Sequence, residues 1–221
     1  MPDRSEQEPW QDFDLVMRAA AYAADAHRAD LRKGTAIPYL SHLWSVAALV
    51  LEHGGDDEQV AAGLLHDVAE DHGGAAKIEE IRQHFGAEVA RLVEGLSDSL
   101  VDTEAGEIKP PWRERKQRYL EHLAGADDRV ALVSACDKLH NTRAVLADLR
   151  TVGADLWKRF TVTDPADHLW YYDSLVAALE NKVPEPLADE LRRTVAAIHS
   201  TAPRPGPMTT SCSWQAPTTG L

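Results

Sequence analysis

Apolar residues recur three and four positions apart along most of this chain, and alternating apolar–polar runs are nearly absent. That period marks helices that bury one face, whereas strands need a period of two. The expected fold class is therefore all-α, a single-domain helical bundle. Leu15, Val16, Ala19, Tyr22, Ala23 and Ala26 form an inward stripe over 13–27, followed by a loop over 28–40 that holds Gly34 and Pro38. Ser41 offers an N-cap for a second helix, which stops at Gly54-Gly55. A third starts after Asp56 and continues through Val68 until Gly73-Gly74 forbids extension. Ile78, Ile81 and Phe85 mark a short helix, and Val89, Leu92, Val93 and Leu96 another. The stretch 97–111 has the Gly, Asp, Ser and Pro content of an exposed loop. A charged helix over 112–123 has two candidate partners, its own domain or a second copy of the chain in a homo-oligomer. The helix over 129–149 is apolar nearly all round in its first half, so that half should cross the middle of the domain. Helices near 165–180 and 186–199 complete the set.

These patterns place the domain at 12–200, with residues 1–11 and 201–221 expected to be disordered terminal segments. The whole chain has 221 residues and a formal charge of −13. Such a charge argues against a nucleic-acid partner, which needs a basic surface to displace counterions. A small phosphorylated ligand needs only a local basic cluster and a metal. No apolar run approaches the roughly 20 residues that a bilayer requires, so no membrane partner is expected. The N-terminus lacks the basic start and apolar stretch of a secretory signal. The two cysteines, Cys136 in an apolar run and Cys212 near the C-terminus, are poorly suited to pair. Reduced thiols fit a cytoplasmic address.

The chemistry concentrates in Leu64-Leu65-His66-Asp67-Val68-Ala69-Glu70-Asp71-His72, where a buried helix ends in a crowd of ionisable groups. Helical spacing pairs His66 with Glu70 and Asp67 with Asp71. A second signal is Asp137-Lys138-Leu139-His140-Asn141, because an aspartate emerging from a buried helix is costly unless paired or metal-bound. The third is His42, just after the basic pair Arg32-Lys33. Two histidines with two aspartates suit manganese, iron or zinc more than calcium. Such an ion draws a nucleophile from water near neutral pH and neutralises phosphoryl oxygens. Glu70 and Asp71 are placed to orient or deprotonate that water.

The order His42, then His66-Asp67, then Asp137 resembles the HD phosphohydrolase superfamily. The strings Pro38-Tyr39-Leu40-Ser41-His42, His66-Asp67-Val68-Ala69-Glu70-Asp71 and Asp137-Lys138-Leu139-His140-Asn141 are similar above all to the hydrolase domain of RelA/SpoT-type enzymes and to the small alarmone hydrolases. The resemblance implies an HD-type helical bundle holding Mn(2+) or another divalent transition metal on His42, His66, Asp67 and Asp137. It implies Glu70 and Asp71 as the residues that handle water, Arg32 and Lys33 as phosphate contacts, and Asn141 as a nucleoside contact. The implied reaction is release of pyrophosphate from the 3′ position of guanosine 3′,5′-bis(diphosphate). Leu43 stands where the family usually has proline. Two other readings are a hydrolase of another nucleotide, such as a nucleoside monophosphate or a phosphorylated dinucleotide, and a non-catalytic nucleotide sensor. The remaining histidines, His27, His72 and His140 among them, read as ordinary surface or packing residues. Trp170-Tyr171-Tyr172 reads as core packing.

Overall fold

The computed structural model describes residues 12–103 and 105–202. The expected disorder of residues 1–11 and of 203–221 lies outside the described residues. At the C-terminal boundary the domain runs two residues further than expected, because the last helix continues to Thr201 and Ala202 is buried.

The chain folds as α1 (Phe13–Ala26), α2 (Leu40–Glu52), α3 (Asp57–Leu65), α4 (Val68–Asp71), α5 (Gly74–Phe85), α6 (Ala87–Leu96), α7 (Trp112–Gly125) and α8 (Asp128–Val152). A 3-10 helix (Gly153–Arg159), α9 (Pro165–Leu179) and α10 (Glu185–Thr201) follow. Among the described residues no strand forms, and the one isolated antiparallel bridge joins Leu31 to Pro38 in the α1–α2 connection. The all-helical expectation holds.

Helix α8 is the axis. Val130, Ala131, Leu132, Val133, Ser134, Ala135, Cys136 and Asp137 are buried in succession, so its first half is enclosed on every side. α2, α3, α6, α9 and α10 pack on it, and α1 closes over α3. The Arg129 guanidinium bonds Asp56, Glu58 and Glu88, tying the start of α3 and the start of α6 to α8. Asp56 and Gln59 form a reciprocal capping box at the start of α3, which satisfies two otherwise orphaned N–H groups.

The charged helix α7 packs on α9 of its own domain. Tyr119 and Leu123 are its buried residues, and the Arg113 guanidinium lies 3.3 Å from the Trp170 ring centroid. The Lys182 ammonium donates to the carbonyls of Leu123, Ala124 and Ala126, so a cation sits at the negative end of α7. Tyr171 and Tyr172 are buried, as core packing requires, while Trp170 is only partly so.

Two expectations need correction. The helix read from Asp56 through Val68 is two helices, with a turn at His66-Asp67 between α3 and α4. In an uninterrupted helix the Gly63 carbonyl would take the N–H of Asp67; here it accepts the His66 ring Nδ1 at 2.8 Å. Asp67 relaxes to φ −94°, ψ −8°, at the edge of helical space. The stretch 97–111 is an irregular loop, but not simply an exposed one. The Asp98 side chain is 5% exposed and is bonded by Arg115 and Lys116 of α7.

That loop docks on the start of α5 at Gly74, where φ is +61° and an added Cβ would lie 2.5 Å from the Leu100 carbonyl oxygen. Both the backbone conformation and the space exclude a side chain. Gly74→Ala should therefore lower stability by about 1–2 kcal/mol or more. Urea unfolding with an unchanged slope measures it, and a midpoint equal to wild type would contradict this account of the contact.

Candidate metal centre

Three elements deliver four donors to one place. His42 comes from the first turn of α2, His66 and Asp67 from the turn between α3 and α4, and Asp137 from the buried half of α8. His66 Nε2 lies 2.9 Å from Asp67 Oδ2 and 3.6 Å from Asp137 Oδ1. His42 Nε2 lies 3.2 Å from Asp137 Oδ1 and 3.7 Å from Asp67 Oδ2. The structure brings these four side chains, named together from the sequence, into one cluster.

The protons argue for a cation. A carbonyl can only accept, so His66 Nδ1 carries the hydrogen that reaches Gly63. In the neutral ring Nε2 then presents a bare lone pair to two carboxylates. Nε2 of both His42 and His66 is buried with no hydrogen-bond partner, although carboxylate oxygens stand close by. Acceptors gathered this way repel one another unless something positive lies among them. Donors bonded to a small divalent ion at about 2.1 Å stand about 3.0–3.4 Å apart, close to the separations here. Two imidazoles and two carboxylates also suit a first-row transition ion chemically. The residues present fit such an ion.

With no ion, protonation is the remaining remedy. Burial opposes charge on His66, but Asp67 and Asp137 outweigh it and hold the ring well above the ordinary histidine range. Burial lowers His42, with the neighbouring His66 acting in the same direction. Burial would raise Asp67, yet His66 holds it far below the usual carboxylate range. Asp137 is likewise buried and held low, by Lys138 and then by His66.

Each donor residue also has a fixed hydrogen-bond partner outside the four. His42 Nδ1 faces His140 Nδ1 at 2.7 Å, so one of the two rings donates to the other. The Tyr39 hydroxyl donates to Asp67 Oδ2. Asp137 Oδ2 accepts from Lys138 Nζ at 2.6 Å, and its Oδ1 from the Asn141 amide at 2.6 Å. Partners of this kind fix ring tautomers and carboxylate orientation. From sequence His140 reads as ordinary, and the structure corrects this: its place one turn beyond Asp137 puts it against the His42 ring, 98 residues away. Only Asp137-to-His140 helical spacing hinted at this.

The other expected site residues divide. The Asn141 side-chain oxygen accepts from Arg32 at 3.1 Å, so Asn141 links a candidate phosphate contact to the Asp137 carboxylate rather than standing free. Lys33 turns the other way, its ammonium 5.7 Å from the Phe160 ring centroid. Glu70 does not pair with His66 as helical spacing suggested. It bonds Lys109 at 3.1 Å and accepts the Asp98 N–H at 3.3 Å. Burial, then Asp98 and Asp67, push its carboxyl up. Asp71 opens to solvent at the rim, yet the protein packed around its carboxyl, followed by the charges of Asp67 and Glu70, pushes it up to about 7. Lys109, Arg115 and Lys116 were not anticipated; they form a basic wall on the Glu70 side.

Two outcomes follow. Asp137→Ala should leave Lys138 buried without its counter-charge, costing about 3–5 kcal/mol; an unfolding midpoint near wild type in metal-free buffer would contradict the buried pair. Burial raises Asp98, but Lys116 and then Arg115 lower it to about 2. Its folded value lies below the unfolded one, so its stabilisation is complete above about pH 4 and is lost as pH falls toward 2. The stability gap between wild type and Asp98→Asn should narrow over that window, and a constant gap would refute the ion pairs.

The model of the family described as HD domain matches residues 19–161. The chain is 33% identical over 156 residues to guanosine-3′,5′-bis(diphosphate) 3′-pyrophosphohydrolase MESH1 of Xenopus tropicalis, covering 69% of this chain and 79% of that protein. It is 34% identical over 145 residues to a GTP pyrophosphokinase of Myxococcus xanthus, covering 65% of this chain but spanning only 19% of that enzyme. A solved metazoan orthologue of SpoT, which hydrolyzes ppGpp and plays a role in starvation responses, superposes with a TM-score of 0.63 at 27% identity, covering 85% of this chain and 97% of that one. From the converging histidines and aspartates, the helical scaffold and these matches together, the chain belongs to the HD domain family, in the group that includes the SpoT-like proteins and MESH1.

Proposed function

We propose that this protein is a metal-dependent phosphohydrolase that releases pyrophosphate from the 3′ position of guanosine 3′,5′-bis(diphosphate). The observation that carries the reading is the set His42, His66, Asp67 and Asp137, whose two orphaned Nε2 atoms face two carboxylates within 3.7 Å. The names of the relatives supply the substrate class. His42, His66, Asp67 and Asp137 are the ligands in this reading, and manganese is the ion. The bound ion would make water nucleophilic near neutral pH and neutralise phosphoryl charge.

The chain's own groups do the rest. Asp71, at about 7, sits where a carboxyl both accepts and returns a proton near neutrality. Glu70, held between Lys109 and the Asp98 N–H, orients rather than roams. Its basic neighbours face the same region and would attract the departing diphosphate. Arg32 offers a planar fork to phosphate, and Lys33, on the same loop, would add a point charge once its ammonium leaves the Phe160 ring. Asn141 reaches the nucleoside by exchanging its Arg32 bond for the ligand. Among the described residues no helix is long and apolar enough to cross a membrane, and a cytoplasmic site of action suits a free nucleotide substrate.

The test is a product assay with manganese-loaded protein and guanosine 3′,5′-bis(diphosphate). Pyrophosphate should appear, and Asp71→Asn should lower kcat by about 100-fold or more with metal content unchanged. Arg32→Ala should act mainly through KM. Release of inorganic phosphate without pyrophosphate, or turnover only with another nucleotide, would overturn the substrate assignment. Full biological effect without any turnover would favour a sensor.

A further inference from the structure

A second set of donors lies beside the first and takes no part in it. His27 caps the C-terminus of α1, Asp30 sits in the α1–α2 connection, and His72 caps the C-terminus of α4. His27 Nδ1 stands 2.9 Å from Asp30 Oδ2, His72 Nε2 stands 2.8 Å from the same oxygen, and the two ring nitrogens are 3.3 Å apart. Three donors from two separate stretches, the end of α1 and the end of α4, thus close a small triangle. Both histidines read as ordinary residues in the sequence, and nothing in their spacing of 45 residues signals the meeting.

We propose that His27, Asp30 and His72 form a second divalent-cation site, of the zinc type, that pins the Arg32 loop to the C-terminal end of α4, the short helix that follows Asp67. The donor chemistry is imidazole, imidazole and carboxylate, a set suited to borderline transition ions and common for zinc. Around a four-coordinate ion with bonds of about 2.0–2.1 Å, neighbouring donors stand about 3.3 Å apart, so the triangle needs to open by only a few tenths of an ångström. The site is enclosed on one side and open on the other. The His27 side chain is 0% exposed, while those of His72 and Asp30 are 24% and 37% exposed, which leaves the solvent side for a water or an anion as fourth ligand.

The location gives the ion a consequence. The Asp30 carbonyl accepts the Tyr39 N–H at 2.8 Å, and the Arg32 N–H donates to Ile37 at 2.8 Å, so Asp30 stands at the base of the small turn that presents Arg32 and Lys33. The Tyr39 ring packs on His27 with centroids 4.9 Å apart, and its hydroxyl reaches Asp67. An ion on His27, Asp30 and His72 therefore fixes the loop and, through Tyr39, the orientation of a ligand carboxylate in the neighbouring centre. The competing arrangement is a plain hydrogen-bonded triad, in which both rings donate to one Asp30 oxygen and no cation enters.

Bound metal per full-length chain decides between them, measured by elemental analysis after equilibrium dialysis against zinc. Wild type should hold two ions. Asp30→Asn and His72→Gln, at partly exposed side chains, should each hold one, and Asp67→Ala should keep the ion that those variants lose. Cobalt substitution gives a second readout, because the visible absorption of a His/His/Asp site should persist in Asp67→Ala and vanish in His72→Gln. Equal metal in wild type and in both Asp30→Asn and His72→Gln, whether one ion or two, would establish the hydrogen-bonded triad and overturn the proposal; a single wild-type ion lost in those variants would leave the second site standing and empty the first. None of these readings depends on which nucleotide is hydrolysed.

Discussion

Two carboxylates face two imidazoles in the middle of a helical bundle, and one of those imidazoles has its only neutral-state proton committed to a backbone carbonyl. That single commitment, His66 to Gly63, shapes everything near it. It stands at the break between α3 and α4 and leaves Nε2 as a lone pair among acceptors. Such a cluster is unfavourable as neutral and anionic groups alone, and either a proton or a metal ion must relieve it. The surrounding fold supplies part of the relief through Lys138, which is buried against the far oxygen of Asp137.

The bundle makes this arrangement affordable by keeping the donors on elements that cannot shift easily. Asp137 is carried on the enclosed half of α8, with apolar residues before it and Leu139 fully buried after it. His42 is itself completely buried at the start of α2. Arg129 and its three carboxylate partners lock α3 and α6 to the first turn of the same helix. The loops then finish the site from two sides. The α1–α2 connection brings Arg32 to Asn141, and the α6–α7 connection brings Lys109 to Glu70. Rigid helices thus hold the donors, and irregular segments hold the charged groups that a phosphate would meet.

Much of this was legible in the residues. The helical period announced α1, α2, α5, α6, α8, α9 and α10 within a few positions, because burying one face of a helix leaves a regular trace. The four converging donors were legible because ionisable groups at the end of buried, apolar helices have few other uses. Their supporting partners were not. His140 looked ordinary, since its meaning depends on a ring supplied by α2. Asn141 looked free to meet a ligand, but its amide is divided between Asp137 and Arg32. The loop at 97–111 looked exposed, because composition cannot show that Asp98 is gripped by two cations from α7. The break at His66 was missed because it comes from a side chain competing with the helix's own ladder, and propensity carries no record of that contest.

The amino-acid sequence by itself determined which segments coil into helices, which faces they bury, and which side chains had to find a cation or a counter-charge, for these follow from local spacing and the cost of burying charge. Only the tertiary structure decided which of those side chains share a centre, where each ring proton goes, and that His27, Asp30 and His72 meet at all. Those outcomes depend on contacts between residues tens of positions apart, set by how helices cross and loops close, and no local pattern encodes them.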